Sequence, residues 1–296
     1  MDTEKIIRAL KGMLGDGLSP GMTSIPHMGL LSAVRAHRLH SVALQQSAVI
    51  IILSGRKRVF LGEETTTLGE GDVFLYPAMV ETTIENIPAT ASGQYMALCL
   101  SYTESMIADV VAGQLDTPNG HPLSLEALCA RCSPSAESSL VHLIEMTAAH
   151  PNNEQLISLC LKEFLLLMAE DTNCLPLFWR SMTTWTARCA GLIGIEPDRK
   201  WTSQEIAGKL NVSDRSLRRH LQEEGSSLRD IIQEVRISNG LALLQTGGLT
   251  VGEAAYRCGY SSASRFSGLF KERFGVSPSD VLRYKAKPGH PLAESV

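Results

Sequence analysis

The sequence lacks any apolar run long enough to cross a bilayer. The longest run in the 296 residues is six residues, as in AVIIIL within SAVIIILSG at 47–55, whereas a membrane-spanning helix needs about 20. The N-terminal segment MDTEKIIRAL carries acidic residues and no apolar stretch of signal-peptide length. We therefore expect a soluble cytoplasmic protein with no membrane partner.

The cysteines lack the pattern of a disulfide framework. There are seven, an odd number, and they are scattered through apolar surroundings, which indicates reduced, buried thiols. Cys129 and Cys132 form one CxxC, but no second CxxC and no nearby HxxxH accompany it, so zinc or redox chemistry has weak support. We interpret the pair as two thiols on a helix.

Charge is scarce overall and unevenly placed. With 44% hydrophobic and 20% charged residues, the chain can bury a core, and its length fits two domains. Residues 1–184 hold 11 Lys and Arg against 19 Asp and Glu, whereas residues 185–296 hold 16 against 12. A mildly basic C-terminal third on an acidic body indicates an anionic partner for that third.

Apolar periodicity divides the chain in the same way. A short amphipathic helix is predicted within residues 1–18, and helices with a 3.6-residue period are predicted after Tyr102, with a loop at 171–176. Between about 27 and 103, short β-branched runs separated by glycine turns are typical of a small barrel or sandwich. The predicted strands are HMGLLSAVRA, AVIIIL, RKRVFL, DVFLYP, ETTIEN and YMALCLSY.

The C-terminal third contains one supersecondary unit twice. In the first copy, at 201–225, Thr202 and Glu205 make a capping box, the sequence NVS makes a turn, and Ser213 caps a second helix. The second copy, at 249–275, repeats these features at an offset of 48 residues in the first helix and 49 in the second. This spacing predicts helix–turn–helix units at 203–224 and 251–274, joined by a long helix at 227–245.

The second helix of each copy has an apolar face and a cationic face. In the first copy Leu217 and Leu221 are spaced to be buried, while Arg215, Arg218 and Arg219 face outward. Arginine binds guanine O6 and N7 bidentately, and serine hydroxyls bond base edges or phosphates. These helices therefore have the composition of recognition helices for a DNA major groove.

Together these features resemble the AraC/XylS family of bacterial transcription regulators. The resemblance is carried by EIAGKLNVSDRSLRRHL and VGEAAYRCGYSSASRFSGLFKERFGVSPSDVLR, within roughly 185–286. It implies a seven-helix domain with two recognition helices in successive major grooves of double-stranded promoter DNA, RNA polymerase as a partner, and activation as the sign of regulation. The implied DNA-contacting residues are Ser213, Arg215, Arg218, Arg219, Ser261, Ser262, Ala263, Ser264, Arg265 and, near phosphate, Lys271.

The N-terminal half carries a second resemblance. LGEGDVFLYP at 68–77 resembles the turn and strand of cupin-type barrels, and the surrounding run resembles the N-terminal domain of one AraC-type subgroup, which binds effectors, dimerises or both. We expect an α+β fold and a homodimer held by the helix at 152–170. The expected parts are a cupin-like barrel with flanking helices at 1–103, a helical dimerisation and linker region at 104–175, and the DNA-binding domain at 183–286.

Two functions stay open at this point, a regulator and a cupin-type metalloenzyme with an appended nucleic-acid-binding domain. Metal-dependent cupins use HxH, then Glu, then a later His, whereas His37 and His40 would lie on opposite faces of a strand, without those partners. We expect a regulator with no catalytic residue, metal or cofactor, and metal analysis would separate the two. The barrel is either filled by its own side chains or holds a small-molecule effector, for which the candidate residues are Arg35, His37, Arg38, Ile50, Ile52, Phe60 and Phe74.

Overall fold

A computed structural model of the chain describes residues 1–15, 21–22, 27–112, 123–172, 174–246 and 248–284. Within them the chain forms two antiparallel β-sheets followed by helical layers, which confirms the expected α+β fold. The chain begins with helix α1 (Thr3–Leu14), as its amphipathic pattern predicted. Its N-cap Asp2 accepts a hydrogen bond from the Lys5 amide, and its apolar face is buried. No helix in these ranges is both long and apolar enough to span a membrane.

Ten strands lie in the described part of the chain. The first sheet has the order β1-β2-β9-β4-β7-β10 and the second has the order β3-β8-β5-β6. Six of them correspond to the predicted strands, and the other four (β1, β3, β6 and β10) are short or carry few apolar residues. Their bounds are β1 Gly21–Met22, β2 Met28–Ala33, β3 His37–Val42, β4 Ser47–Ser54, β5 Arg56–Leu61, β6 Glu64–Leu68, β7 Asp72–Tyr76, β8 Thr82–Ile87, β9 Tyr95–Tyr102 and β10 Cys129–Arg131.

Strand register decides which side chains face the space between the two sheets. Tyr76 points across that space, because its hydroxyl donates to the Val42 carbonyl at 2.6 Å and lies 2.7 Å from the Thr82 hydroxyl. Side chains directly opposite in a pair share a face. Ile50 lies opposite Phe74 in β7 and opposite Cys99 in β9, so all three face the same interior as Tyr76.

Helices α2 (Glu104–Ala112), α3 (Leu125–Leu128), α4 (Pro134–Ala149), α5 (Glu154–Asp171) and α6 (Cys174–Met182) follow the sheets. They cover the other face of the first sheet, where the Tyr102 ring lies 6.4 Å from the Phe178 ring. The predicted loop at 171–176 is wrong, since α6 begins at Cys174. Residues 113–115 of the first predicted helix and Asn173 lie outside the described residues.

The interpretation of Cys129 and Cys132 as helical thiols is also wrong. The helix ends at Leu128, and Cys129 begins strand β10, which pairs with β7. Ladder hydrogen bonds along the edge of a sheet decide the conformation of this short segment over its helical pattern. Cys132 is buried with its thiol 3.6 Å from the Met168 sulfur, and no cluster of metal-binding side chains occurs within the described ranges.

Seven helices form the C-terminal part described by the structure. They are α7 (Trp185–Ile195), α8 (Ser203–Lys209), α9 (Asp214–Glu223), α10 (Leu228–Thr246), α11 (Val251–Arg257), α12 (Ala263–Phe274) and α13 (Pro278–Tyr284). Helices α8 and α9 form the first helix–turn–helix unit, and α11 and α12 form the second. The long predicted helix is α10, which lies between them.

The two helix–turn–helix units differ in how they join the rest of the protein. The first unit has its own apolar core, built with α7 and α10 around Leu217, Leu221 and Val235. The second unit shares one continuous apolar cluster with the sheets, and this cluster includes Phe266, Phe270 and Phe274. The second unit is therefore packed as a part of the larger body.

Candidate nucleic-acid interface

Both helix–turn–helix units begin with the predicted capping box. The Glu205 carboxylate accepts the Thr202 amide at 2.8 Å, and the Glu205 amide donates to the Thr202 hydroxyl at 3.2 Å. Glu253 and Thr250 repeat this arrangement at 2.8 and 3.3 Å. The hydroxyl and amide of Thr202, with the nearby Arg199, lower the pKa of Glu205 to about 2, so the cap stays ionised at neutral pH.

Helix α9 presents three exposed arginines. Its N-cap Ser213 accepts from the Ser216 amide, and Leu217 and Leu221 bury the opposite face. Arg218 forms an ion pair with Asp214 at 2.9 Å. The other two, Arg215 and Arg219, are also exposed, and Arg219 lies 3.6 Å from Glu223. These surface pairs are weak, so the guanidinium groups can exchange them for phosphate or base contacts.

Helix α7 fixes the C-terminal end of α9. The His220 ring stacks on Trp185 at 4.4 Å with an interplanar angle of 1°. The Glu224 carboxylate accepts the amides of Trp185 and Thr186 at 2.7 and 2.8 Å, which caps the N-terminus of α7. These contacts could not be predicted from the sequence, because the partners are about 35–40 residues apart and share no local pattern.

Helix α12 is held by a ladder of buried phenylalanine rings. The centroids of Phe266 and Phe270 lie 5.4 Å apart, and those of Phe270 and Phe274 lie 4.7 Å apart. Gly240 of α10 leaves room for this ladder, because a Cβ atom there would lie 2.5 Å from Cε2 of Phe266. Close approach of α10 and α12 therefore requires glycine at this position.

The N-terminal end of α12 is the exposed end. Ser262 caps the helix by accepting from the Arg265 amide at 3.4 Å. The expected contact residues of this unit are all exposed: Ser261, Ser262, Ala263, Ser264, Arg265 and Lys271. Small side chains at this end allow the backbone to approach a partner closely, and the helix N-terminus favours an anion.

The C-terminal end of α12 contacts the sheets instead. Arg273 pairs with Glu81 of the β7–β8 loop at 2.7 Å and with Glu234 of α10 at 2.9 Å. Next to it, Gly275 lies against His40 of β3, where a Cβ atom would be 2.6 Å from the imidazole Cδ2. The two ends of α12 therefore have separate partners, solvent at one end and the sheets at the other.

Helix α13 makes a second contact with the sheets. The Val34 amide donates to the Tyr284 carbonyl at 2.7 Å, and the His37 ring stacks on the Tyr284 ring at 4.6 Å. His37 is buried, and burial lowers its pKa, so the ring stays neutral at physiological pH. His40 is exposed on the opposite face of β3, as the alternation predicted.

The structure separates the predicted effector residues into two groups. Ile50, Ile52, Phe74 and His37 are buried, and all four lie on strand faces that point to the space between the sheets. Phe60 and Arg38 lie on the outer face of the second sheet, where the Arg38 guanidinium sits 4.6 Å above the Phe60 ring and pairs with Glu85. Arg35 is exposed in the turn before β3. The two predicted arginines, Arg35 and Arg38, are therefore not in the interior.

Lys57 is a buried cation of the interior that was not among the predicted effector residues. It is 0% exposed, and its ammonium group donates to the Asn86 side-chain oxygen at 2.7 Å. Burial lowers its pKa to about 7. A signal was present in the sequence, because alternation along RKRVFL puts Lys57 on the same face as Val59.

Comparison with known proteins adds to this geometry. Residues 24–172 match the family described as AraC-type transcriptional regulator N-terminus, and residues 206–284 match a helix-turn-helix domain. The HTH-type transcriptional activator CsvR of Escherichia coli is 30% identical over 142 residues, which are 48% of this chain and 53% of CsvR. This chain therefore spans about half the length of that relative.

Two solved structures share the fold over most of the chain. An apo point variant of ToxT from Vibrio cholerae has a TM-score of 0.63 at 16% identity, covering 90% of this chain and 100% of ToxT. Wild-type ToxT from the same organism, with bound unsaturated fatty acid, has a TM-score of 0.59 at 17% identity, covering 87% and 95%. The AraC-type match extends over half of the sequence, and the chain belongs to the AraC family of transcriptional regulators.

Proposed function

We propose that this protein is a sequence-specific DNA-binding regulator, most simply an activator, with α9 and α12 in successive major grooves of promoter DNA. The observation that carries this proposal is the repeated unit itself. Two capped helices each bury an apolar face and expose serine and arginine side chains at the N-terminal half. The family membership and the name of CsvR support the activator role and RNA polymerase as a partner.

Each candidate residue has a distinct proposed role. Arg215, Arg218 and Arg219 of α9 reach base edges or phosphates. In the second unit, the exposed residues 261–265 approach bases, and Lys271 contacts a phosphate. Because these contacts displace counterions, binding should weaken steeply as salt increases.

Selection of genomic DNA tests this function directly. Fragments of the source genome are incubated with the purified full chain at moderate salt, and the retained fragments are sequenced. The Arg218→Ala variant runs beside it, with Arg229→Ala of α10 as a matched control, since Arg229 is an exposed arginine outside both recognition helices. We expect a few promoter fragments, lost with Arg218→Ala and kept with Arg229→Ala. Equal retention by both variants would contradict the role of α9.

A small-molecule effector is the second part of the proposal. The region 1–103 would bind it between the sheets, where the described interior is lined by Ile50, Ile52 and Phe74. Support comes from the ToxT structure with bound unsaturated fatty acid, a protein of the same fold. The second helix–turn–helix unit shares its apolar cluster with the sheets, so an occupied interior can change the position of α12.

Dimerisation is proposed for the region 104–175, through α5. Leu159 and Leu166 are 53% and 43% exposed, and their spacing of seven residues puts them on one face of that helix. Exposed leucines at this spacing favour a second helix as a partner. Leu166→Glu should shift the protein to a monomer in sedimentation-velocity measurements, whereas an unchanged sedimentation coefficient would contradict this interface.

A further inference from the structure

The space between the sheets contains a cation that has no counter-ion. Lys57 lies on β5 and is fully buried, and among the described residues it makes one hydrogen bond, to Asn86 of β8. No carboxylate of the described residues pairs with it. Glu85, the neighbour of Asn86 in β8, is turned to the outer face and held by Arg38 and Arg58. Burial of an ammonium group that has one hydrogen-bond partner lowers the stability of the folded state.

A hydroxyl group beside Lys57 also lacks a partner. The Lys57 nitrogen lies 5.3 Å from the centre of the Tyr95 ring. Tyr95 is 0% exposed, and its hydroxyl has no hydrogen-bond partner within the part of the chain that the structure describes. Buried tyrosine hydroxyls normally have one. An ammonium group with one acceptor and a hydroxyl with none therefore share one apolar interior.

Small apolar side chains lie on the inner strand faces near these two donors. Ala33 of β2 lies opposite Tyr95, and Ala97 of β9 lies opposite Ile52. Cys99 of β9, which lies opposite Ile50, also faces inward. Burial raises the pKa of the Cys99 thiol to about 11, so this thiol supplies no negative charge either.

We propose that this interior binds a ligand with one carboxylate and an apolar body, and that Lys57 and Tyr95 bind the carboxylate. The proposal rests on the effector role described above and adds its chemical class and its anchor. A carboxylate oxygen accepts from both donors and supplies the missing negative charge. The apolar body then contacts Ile50, Ile52 and Phe74.

The anchor lies next to the contact with the DNA-binding helices. Asn86, which holds Lys57, is directly opposite Lys57 in β5 and directly opposite His37 in β3. His37 in turn stacks on Tyr284 of α13. A carboxylate that binds Lys57 replaces its hydrogen bond to Asn86. Asn86 lies directly opposite His37, which forms the interface between the sheets and α13.

Calorimetric titration of the full chain with octanoate tests the proposal. Octanamide, which has the same body without the charge, is the control ligand. Lys57→Met removes the cation, Tyr95→Phe removes only the hydroxyl, and Arg58→Met removes an outward cation from the neighbouring position of β5. We expect octanoate to bind the wild type and Arg58→Met alike. Lys57→Met should lose about ten- to a hundredfold in affinity, and Tyr95→Phe should lose about tenfold.

Three results would overturn the proposal. The first is an unchanged octanoate affinity in Lys57→Met that has a native circular-dichroism spectrum. The second is equal affinity of the wild type for octanoate and octanamide, and the third is no octanoate binding to the wild type. Covalent capture of octanal by Lys57 under borohydride, without octanoate binding, would likewise reject the carboxylate class in favour of a carbonyl ligand. Promoter selection by the same preparation is scored separately, so a failed carboxylate site and a failed regulator are distinguishable.

Discussion

Replacement of Lys57 by methionine should stabilise the protein at neutral pH. The pKa of Lys57 falls from its ordinary value of 10.5 to about 7 because the ammonium group is buried. One pKa unit corresponds to about 1.4 kcal/mol, so the charged form costs at most about 5 kcal/mol of folding free energy. Loss of the hydrogen bond to Asn86 offsets about 1–3 kcal/mol of the gain. The variant should therefore be more stable than the wild type by about 2–4 kcal/mol at pH 7.

The pH dependence of this difference is the sharper test. Between pH 7 and 10.5 the unfolded wild type binds a proton at Lys57 that the folded protein releases, so wild-type stability increases with pH across that window. The penalty is complete below pH 7 and disappears toward pH 10.5. The advantage of Lys57→Met should accordingly shrink by up to about 1.4 kcal/mol for each pH unit above 7.

Urea unfolding at pH 7 and pH 8.5, followed by circular dichroism, measures this difference. The groups around Lys57 titrate outside this range, since the pKa of His37 is lowered and those of Tyr95 and Cys99 are raised. Arg58→Met is the control, and its stability difference from the wild type should not change between the two pH values. If the difference in unfolding free energy between wild type and Lys57→Met is the same at pH 7 and at pH 8.5, a buried, titrating Lys57 is refuted.

Three further predictions concern the DNA-binding helices. Phe270→Ala should lower the free energy of unfolding by about 3–5 kcal/mol, because Phe270 is fully buried in the ring ladder, and a full-stability variant in calorimetry would reject that burial. Gly240→Ala should lower it by about 1–2 kcal/mol, since overlap with Phe266 outweighs the gain in helix propensity, whereas Gly268→Ala, with open space around it, should not destabilise. Asp214→Asn should tighten binding to duplex DNA by about 0.2–1 kcal/mol in fluorescence anisotropy, because Arg218 no longer leaves an ion pair, and weaker binding would show that Asp214 itself contacts DNA.

The C-terminal helices could be predicted from the sequence, because their signals lie between residues that are close in the chain. A capping box involves residues three apart, so Thr202 with Glu205 and Thr250 with Glu253 mark helix starts without tertiary information. The same holds for the spacing of the buried phenylalanines. For this reason the predicted helix boundaries agree with α8 to α13 within a few residues.

Segments whose conformation depends on distant partners were not predicted correctly. Cys129 lies in a strand because the edge of β7 offers hydrogen bonds to it, and β7 lies more than fifty residues earlier in the chain. The phenyl ring of Phe60 was expected in the interior, but pairing of β5 with β8 puts it on the outer face with Arg38. Strand pairing across many residues leaves no periodic signal in either segment.

The sequence by itself determined the repeated helix–turn–helix units, their caps and their exposed arginines, because helices form from contacts between residues three and four apart. Only the tertiary structure decided that α12 is held by Glu81 and the sheets, and that Lys57 is enclosed without a counter-ion. Both features depend on which faces of the two sheets and of the helices pack against each other. The charge and burial of a side chain in such a contact depend on several segments that are distant in the sequence, so no single segment predicts them.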